Sequence, residues 1–270
     1  MTALAPATRA DLGGTRAASP HRLSFARLLH SEWIKITTLR STWWSLGITA
    51  LLSIGISMMI ASASAQFGGG FPAVSAILSP TQFTMLVAGI LGAIVITGEY
   101  STGMIRSTLT AEPRRGAVVV AKAVVVGVLI ALTTVVTYAV AIAATAPFLA
   151  EGIDWSEPAQ SIVPLALGVL SMVVFTLIGL GFGFILRNGA GAIAVTVGVL
   201  FVLPIVFSLF GMFGESWSWI ADLAEYLPMN AAAAVTAPGA EDLAVPLLTL
   251  AAWGIVPLIG GWAVLRGRDA

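Results

Sequence analysis

The chain has 270 residues, of which 58% are hydrophobic and only 10% charged, and its mean hydropathy is +0.97. An ordinary soluble domain carries roughly 25% charge, so this composition points to an all-α integral membrane protein with short loops. There is no cysteine and only two histidines, His21 and His30, which excludes disulfide frameworks and thiolate or His-ligated metal sites.

Residues 1–20 are rich in Ala, Thr, Gly and Pro and contain no apolar run, so a disordered cytoplasmic tail is expected there rather than a signal peptide. Residues 22–40 follow with Phe25, Leu28, Leu29, Trp33, Ile36 and Leu39 at helical spacing, and with Arg22, Arg27, Glu32, Lys35 and Arg40 on much of the remaining surface. This pattern predicts a basic amphipathic helix lying on the inner leaflet.

A membrane-spanning helix needs roughly 20 apolar residues to cross about 30 Å of hydrocarbon. Six windows qualify: 43–65, 76–97, 117–146, 162–186, 191–213 and 245–265. The third contains Lys122 near its start, and the expectation is that this end extends into the cytoplasm with Lys122 snorkelling or fully outside. Between the second and third windows, Met104, Ile105, Thr108 and Leu109 lie on adjoining faces of a short segment stopped by Pro113, which reads as a docking surface. Within the fourth window, Gly179 and Gly183 form a small-xxx-small pair, the signature of close helix packing.

The outer connections are predicted at 66–75, 147–161 and 214–244. The Gly68–Gly70 run lacks the Lys-Ser/Thr of a phosphate loop and reads as a turn. Glu151, Asp154 and Glu157 surround Trp155 in a solvated acidic loop. In the third connection Trp217, Ile220, Leu223, Ala224 and Leu227 share one helical face, predicting an outer interfacial helix before the last span.

This division sorts the charges. All thirteen Lys and Arg residues fall on the side of the N-terminus, while eight acidic residues and no base fall on the other. Because Lys and Arg concentrate in cytoplasmic loops, both termini are expected inside a bacterial inner membrane.

The energy source is also constrained. No G-x-x-x-x-G-K-[ST] pattern is present, so the chain cannot hydrolyse ATP through a P-loop. The span interiors hold no Asp, Glu or His, which disfavours a proton-driven carrier. An intramembrane enzyme lacks candidate residues altogether, and no catalytic, cofactor or metal site is expected. Transport would have to be powered by another chain; a membrane anchor or regulatory subunit that only recruits a partner is the alternative. Thr133, Thr134, Thr137 and Tyr138 form the mildest polar stripe of the spans, with hydroxyls expected to bond local carbonyls.

Gly98-Glu-Tyr-Ser-Thr-Gly-Met-Ile-Arg-Ser-Thr-Leu109 closely resembles the stretch after the second span of ABC-2 type permeases, the membrane subunits of ATP-binding-cassette exporters. Ser31-Glu-Trp-Ile-Lys35 and Leu39-Arg-Ser-Thr-Trp-Trp44 are similar to that family's connecting helix, and Tyr226-Leu-Pro-Met-Asn230 to its segment before the last span. The resemblance covers nearly everything beyond residue 20, taken as one membrane domain over 21–270. It implies six spans per subunit, a homodimer or heterodimer, no nucleic-acid partner, and a coupling helix at about 99–113 seated on a separate ATPase that binds ATP and Mg. It also implies roles for Glu99, Tyr100, Gly103, Met104, Ile105, Arg106 and Leu109 in coupling, with Glu99 and Arg106 polar and Met104 and Ile105 docking, and places Glu32, Lys35 and Arg40 on the connecting helix. The cargo expected is a hydrophobic or amphipathic drug, peptide or lipid-like molecule; sodium efflux is an alternative.

Overall fold

The computed structural model describes residues 24–67, 70–149, 152–213 and 217–267, and within them every regular element is helical. The tail expected over residues 1–20 lies outside these limits, as do Gly68, Gly69 and Glu151. Helix α1 (Phe25–Thr38) is capped by Ser24, whose hydroxyl accepts from the Arg27 amide. It stops where Leu39 turns extended, and α2 (Arg40–Gln66) starts immediately as the first span. The second span is split. Pro72 opens a short helix α3 (Ala73–Leu78), Ser79 and Pro80 make a step, and α4 (Thr81–Thr102) completes the crossing.

Gly103, at φ +72°, ends α4 and reverses the chain into α5 (Met104–Ala111). That left-handed conformation costs an L side chain roughly 1–2 kcal/mol, so glycine is the residue that permits the turn. The third span, α6 (Arg115–Thr145), is the longest helix, and α7 (Ile162–Leu186) is the fourth. The fifth span is interrupted: α8 (Gly189–Val197) passes through a π-helical turn at Gly198–Val202 into α9 (Leu203–Phe210). Pro204 sits just beyond that turn and lacks the amide that regular α pairing needs there. The last span is α12 (Ala244–Gly267).

Six helices are therefore long and apolar enough to cross a membrane: Arg40–Gln66, Ala73–Thr102, Arg115–Phe148, Ile162–Leu186, Gly189–Phe213 and Ala244–Gly267. Each of the six expected windows falls within one of them, the fourth matching at both ends and the second helix running furthest beyond its window.

Span four is the centre of the bundle, packed by spans two, three and six. Glycine sets the closest approach. A Cβ on Gly179 would overlap the Gly89 carbonyl, and one on Gly92 the Thr176 carbonyl, so the backbones of spans two and four meet directly. The close packing expected of the Gly179 pair is what the fold uses. Met85, Ala88, Leu91, Phe175 and Ile178 fill the same layer and are all almost fully buried. Spans one and five sit at the periphery and leave most of their apolar surface outward, including Trp44, Leu51, Met59 and Leu209.

The segment before the last span differs from the single interfacial helix expected. Helix α10 (Ser218–Leu223) gives way to a tight turn at Ala224–Tyr226, and α11 (Pro228–Val235) starts anew. Pro228 is the reason, because it pushes Leu227 into extended backbone. The expected face is split accordingly: Trp217 and Leu223 stay exposed while Ala224 and Leu227 are buried. Two side chains hold the turn. Asn230 Nδ2 donates to the Ala224 carbonyl at 2.8 Å, and Trp253 Nε1 to the Tyr226 carbonyl at 2.8 Å.

A buried charge cluster as candidate functional site

At the basic end of the bundle, four charged side chains from three separate helices converge. Lys122, about two turns inside α6, is only 1% exposed, and its Nζ donates to Glu32 Oε2 and Glu99 Oε1, each at 2.6 Å. Lys35 Nζ completes the ring by donating to Glu32 Oε1 at 2.7 Å, Glu99 Oε1 at 3.2 Å and Thr108 Oγ1 at 3.0 Å. Two acids and two bases thus cancel, the condition under which buried charge is tolerated.

Sequence position explains each arrival. Glu32 and Lys35 are three apart on α1 and share a face. Glu99 lies in the last turn of α4, and Thr108 four residues past Met104 on α5, where its hydroxyl also reaches the Met104 carbonyl. The cluster therefore ties α1, α4, α5 and α6 together through side-chain hydrogen bonds.

Burial alone would lower the pKa of Lys35; the hydrogen bond and charge of Glu32, with the charge of Glu99, outweigh it and hold the ammonium above its ordinary value. Glu99 Oε2 has no hydrogen-bond partner among the described residues. A cavity of about 330 Å³ opens beside the cluster, lined by Glu32, Lys35, Glu99, Met104 and Lys122 among others.

This geometry corrects two expectations. Lys122 neither snorkels nor leaves the protein, because two carboxylates from neighbouring helices meet it inside. Glu32 does not belong to a solvated face of α1; it is 4% exposed and points inward beside Ile36.

The segment after the second span is likewise only partly a surface. Met104 is exposed, as is Arg106, but Ile105 is 2% exposed and packs with Ile96, Val119, Leu180, Phe184 and Leu265. Leu109 and Tyr100 pack against that same apolar group, and the Arg187 guanidinium lies 5.4 Å from the Tyr100 ring centre. Ile105 is thus an anchor that holds α5 to the bundle instead of a docking contact. Glu99 belongs to the end of the span and not to α5 itself; Arg40 is exposed at the start of the first span.

Below α5, Arg114 chelates Glu112 through Nε and Nη2 at 2.8 and 3.0 Å, and these bonds hold the Glu112 carboxyl below its usual range. Two arginines then close the end of the last span. Arg115 donates to the carbonyls of Leu265 and Arg266, and Arg187, itself in left-handed backbone, to that of Val264 at 3.0 Å. Terminal helix carbonyls lack intrahelical partners, so these guanidinium groups satisfy them and complement the helix dipole.

Sequence reading missed Lys122 and Thr108 as members of the site. A signal was present: one lysine inside a span window implies an acid within reach, and Glu32 and Glu99 were the available acids. In the polar stripe of α6, Thr133 and Thr137 behave as expected, donating to the carbonyls of Leu129 and Thr133 at 2.8 Å, whereas the buried Tyr138 hydroxyl bonds no local carbonyl. Among the described residues no group of His, Asp and Glu could hold a metal ion.

A family model described as ABC-2 family transporter protein matches residues 28–215, well over half of the chain. No match was found among curated proteins.

Proposed function

The chain belongs to the ABC-2 family of transporter proteins, and we propose that it is the permease subunit of an ATP-binding-cassette exporter, driven by a separate cytosolic ATPase. The basic end faces the cytoplasm, both termini lie inside, and the subunit works as a dimer in a bacterial inner membrane. The cargo is hydrophobic or amphipathic, in keeping with spans whose interiors offer few polar groups.

One observation carries the coupling part of this reading: α5 is bound to α1 and to spans two and three through a neutral charge cluster and the Ile105 anchor. A load applied to exposed Met104 and Arg106 would reach three helices at once. Glu99, Lys122 and Lys35 act here as positioning residues.

The test is co-expression with the ATPase followed by reconstitution. Co-purification, substrate-stimulated ATP hydrolysis and transport are expected of the wild type. Glu99→Gln and Arg106→Ala should leave the complex assembled but lower the transport obtained per ATP hydrolysed. A complex that forms and moves nothing would identify an anchor subunit instead. Transport unchanged in both variants would remove the coupling assignment.

A further inference from the structure

On the outer surface of the bundle, near its basic end, α6 and α12 leave an apolar groove of about 430 Å³ between them. Val119, Val120, Ala123, Ile255, Ile259 and Trp262 line it, and almost no polar surface is present. Its α6 wall runs from Gly116 to Val124, roughly 12 Å of helix at 1.5 Å per residue. Half of the hydrocarbon thickness is roughly 15 Å, so the groove is nearly as long as one leaflet's hydrocarbon is thick.

Its mouth is charged. The Arg266 guanidinium, on an exposed side chain, stands 5.5 Å from the Trp262 ring centre. Arg115, next to Gly116, is held at the same place by its bonds to the Leu265 and Arg266 carbonyls. The nearby acid Glu112 is already engaged by Arg114. An indole at the rim, a base above it and an apolar trough below match one phospholipid: acyl chain in the trough, glycerol level at Trp262, anionic headgroup on Arg266.

We propose that this groove is a binding site for an anionic phospholipid of the leaflet at the basic end, which is the inner leaflet in the orientation given above. The inference rests on the family's placement in a membrane and is independent of the coupling role assigned to α5.

The full chain, purified into mild detergent and exchanged against phosphatidylglycerol or phosphatidylcholine, is examined by native mass spectrometry for retained lipid. The wild type should keep one phosphatidylglycerol in preference to phosphatidylcholine by about fivefold, the factor that one basic side chain near an anionic headgroup confers. Arg266→Gln should bring the two lipids to parity. Val120→Trp, which fills the trough from a half-exposed position, should release both.

Equal retention by the wild type, or a preference unchanged in Arg266→Gln, overturns the headgroup site, and the Arg266 arm remains decisive if Val120→Trp does not fold. Retention unaffected by a folded Val120→Trp overturns the groove. Because the chain has no cysteine, Val120→Cys is a clean probe of another occupant; a quantitative disulfide between copies would assign the groove to a second subunit and refute the lipid.

Discussion

Replacing Lys122 by Met keeps the length of the aliphatic stem and removes one charge from the cluster. Glu32 and Glu99 then share Lys35 as their one base, and each loses a bond of 2.6 Å. Both carboxylates are less than a tenth exposed, so water cannot take over the lost contact without opening the packing. Breaking a buried pair by removing one partner costs about 3–5 kcal/mol, and this is the expected destabilisation of Lys122→Met. The double variant Lys122→Met with Glu99→Gln restores neutrality, because Lys35 and Glu32 still pair at 2.7 Å. Its expected cost is about 1–2 kcal/mol, the scale of imperfectly replaced hydrogen bonds. Adding the second substitution should thus recover about 2 kcal/mol relative to Lys122→Met, and the coupling exceeds this by the cost of Glu99→Gln alone, which leaves two bases sharing Glu32. Denaturant unfolding in lipid–detergent micelles, run on the wild type, both single variants and the double, closes the cycle. A Lys122→Met protein within about 0.5 kcal/mol of wild type, or single effects that simply add, would refute the argument that the cluster is buried and balanced.

Gly179→Ala drives a methyl into the Gly89 carbonyl and should cost at least the roughly 1–3 kcal/mol typical of overpacking, whereas Gly55→Ala, with nothing within 4 Å, should be neutral or stabilising; comparing their unfolding midpoints checks both. Met104→Glu should fold normally yet fail to retain the ATPase on purification, while Ile105→Glu should unfold by several kcal/mol because it places a carboxylate in the apolar group around Leu180. Arg115→Ala should leave the last turn of α12 unsatisfied, and hydrogen exchange should speed up at residues 264–267 relative to mid-span amides.

Much of this molecule was written in its pattern. Six apolar runs and a one-sided distribution of bases are enough to define a six-helix membrane bundle, because the bilayer forces each span to satisfy its own backbone and to be long enough. Helix α1 and the Gly179 packing surface follow from local rules of the same kind, whereas the break at Gly103 interrupts a segment that read as one helix over about 99–113. The interruption at Pro228, in the segment before the last span, was equally local, but the helical periodicity of Trp217, Ile220 and Leu223 masked it.

What the pattern could not supply was partnership across distance. Amphipathic spacing assigns a side chain to a face without saying what that face meets. Glu32 therefore read as solvated, Lys122 as snorkelling and Ile105 as exposed. Packing reversed all three: α1 lies against α6, α4 delivers Glu99 to the same depth, and α5 folds back until Ile105 reaches the core. Buried charge is stable only when its counter-charge is already in place, and that counter-charge lies 90 residues away for Lys122 and Glu32. The sequence by itself determined the medium, the number of crossings and the basic face; the tertiary structure alone decided that the charges of that face close on one another inside the protein.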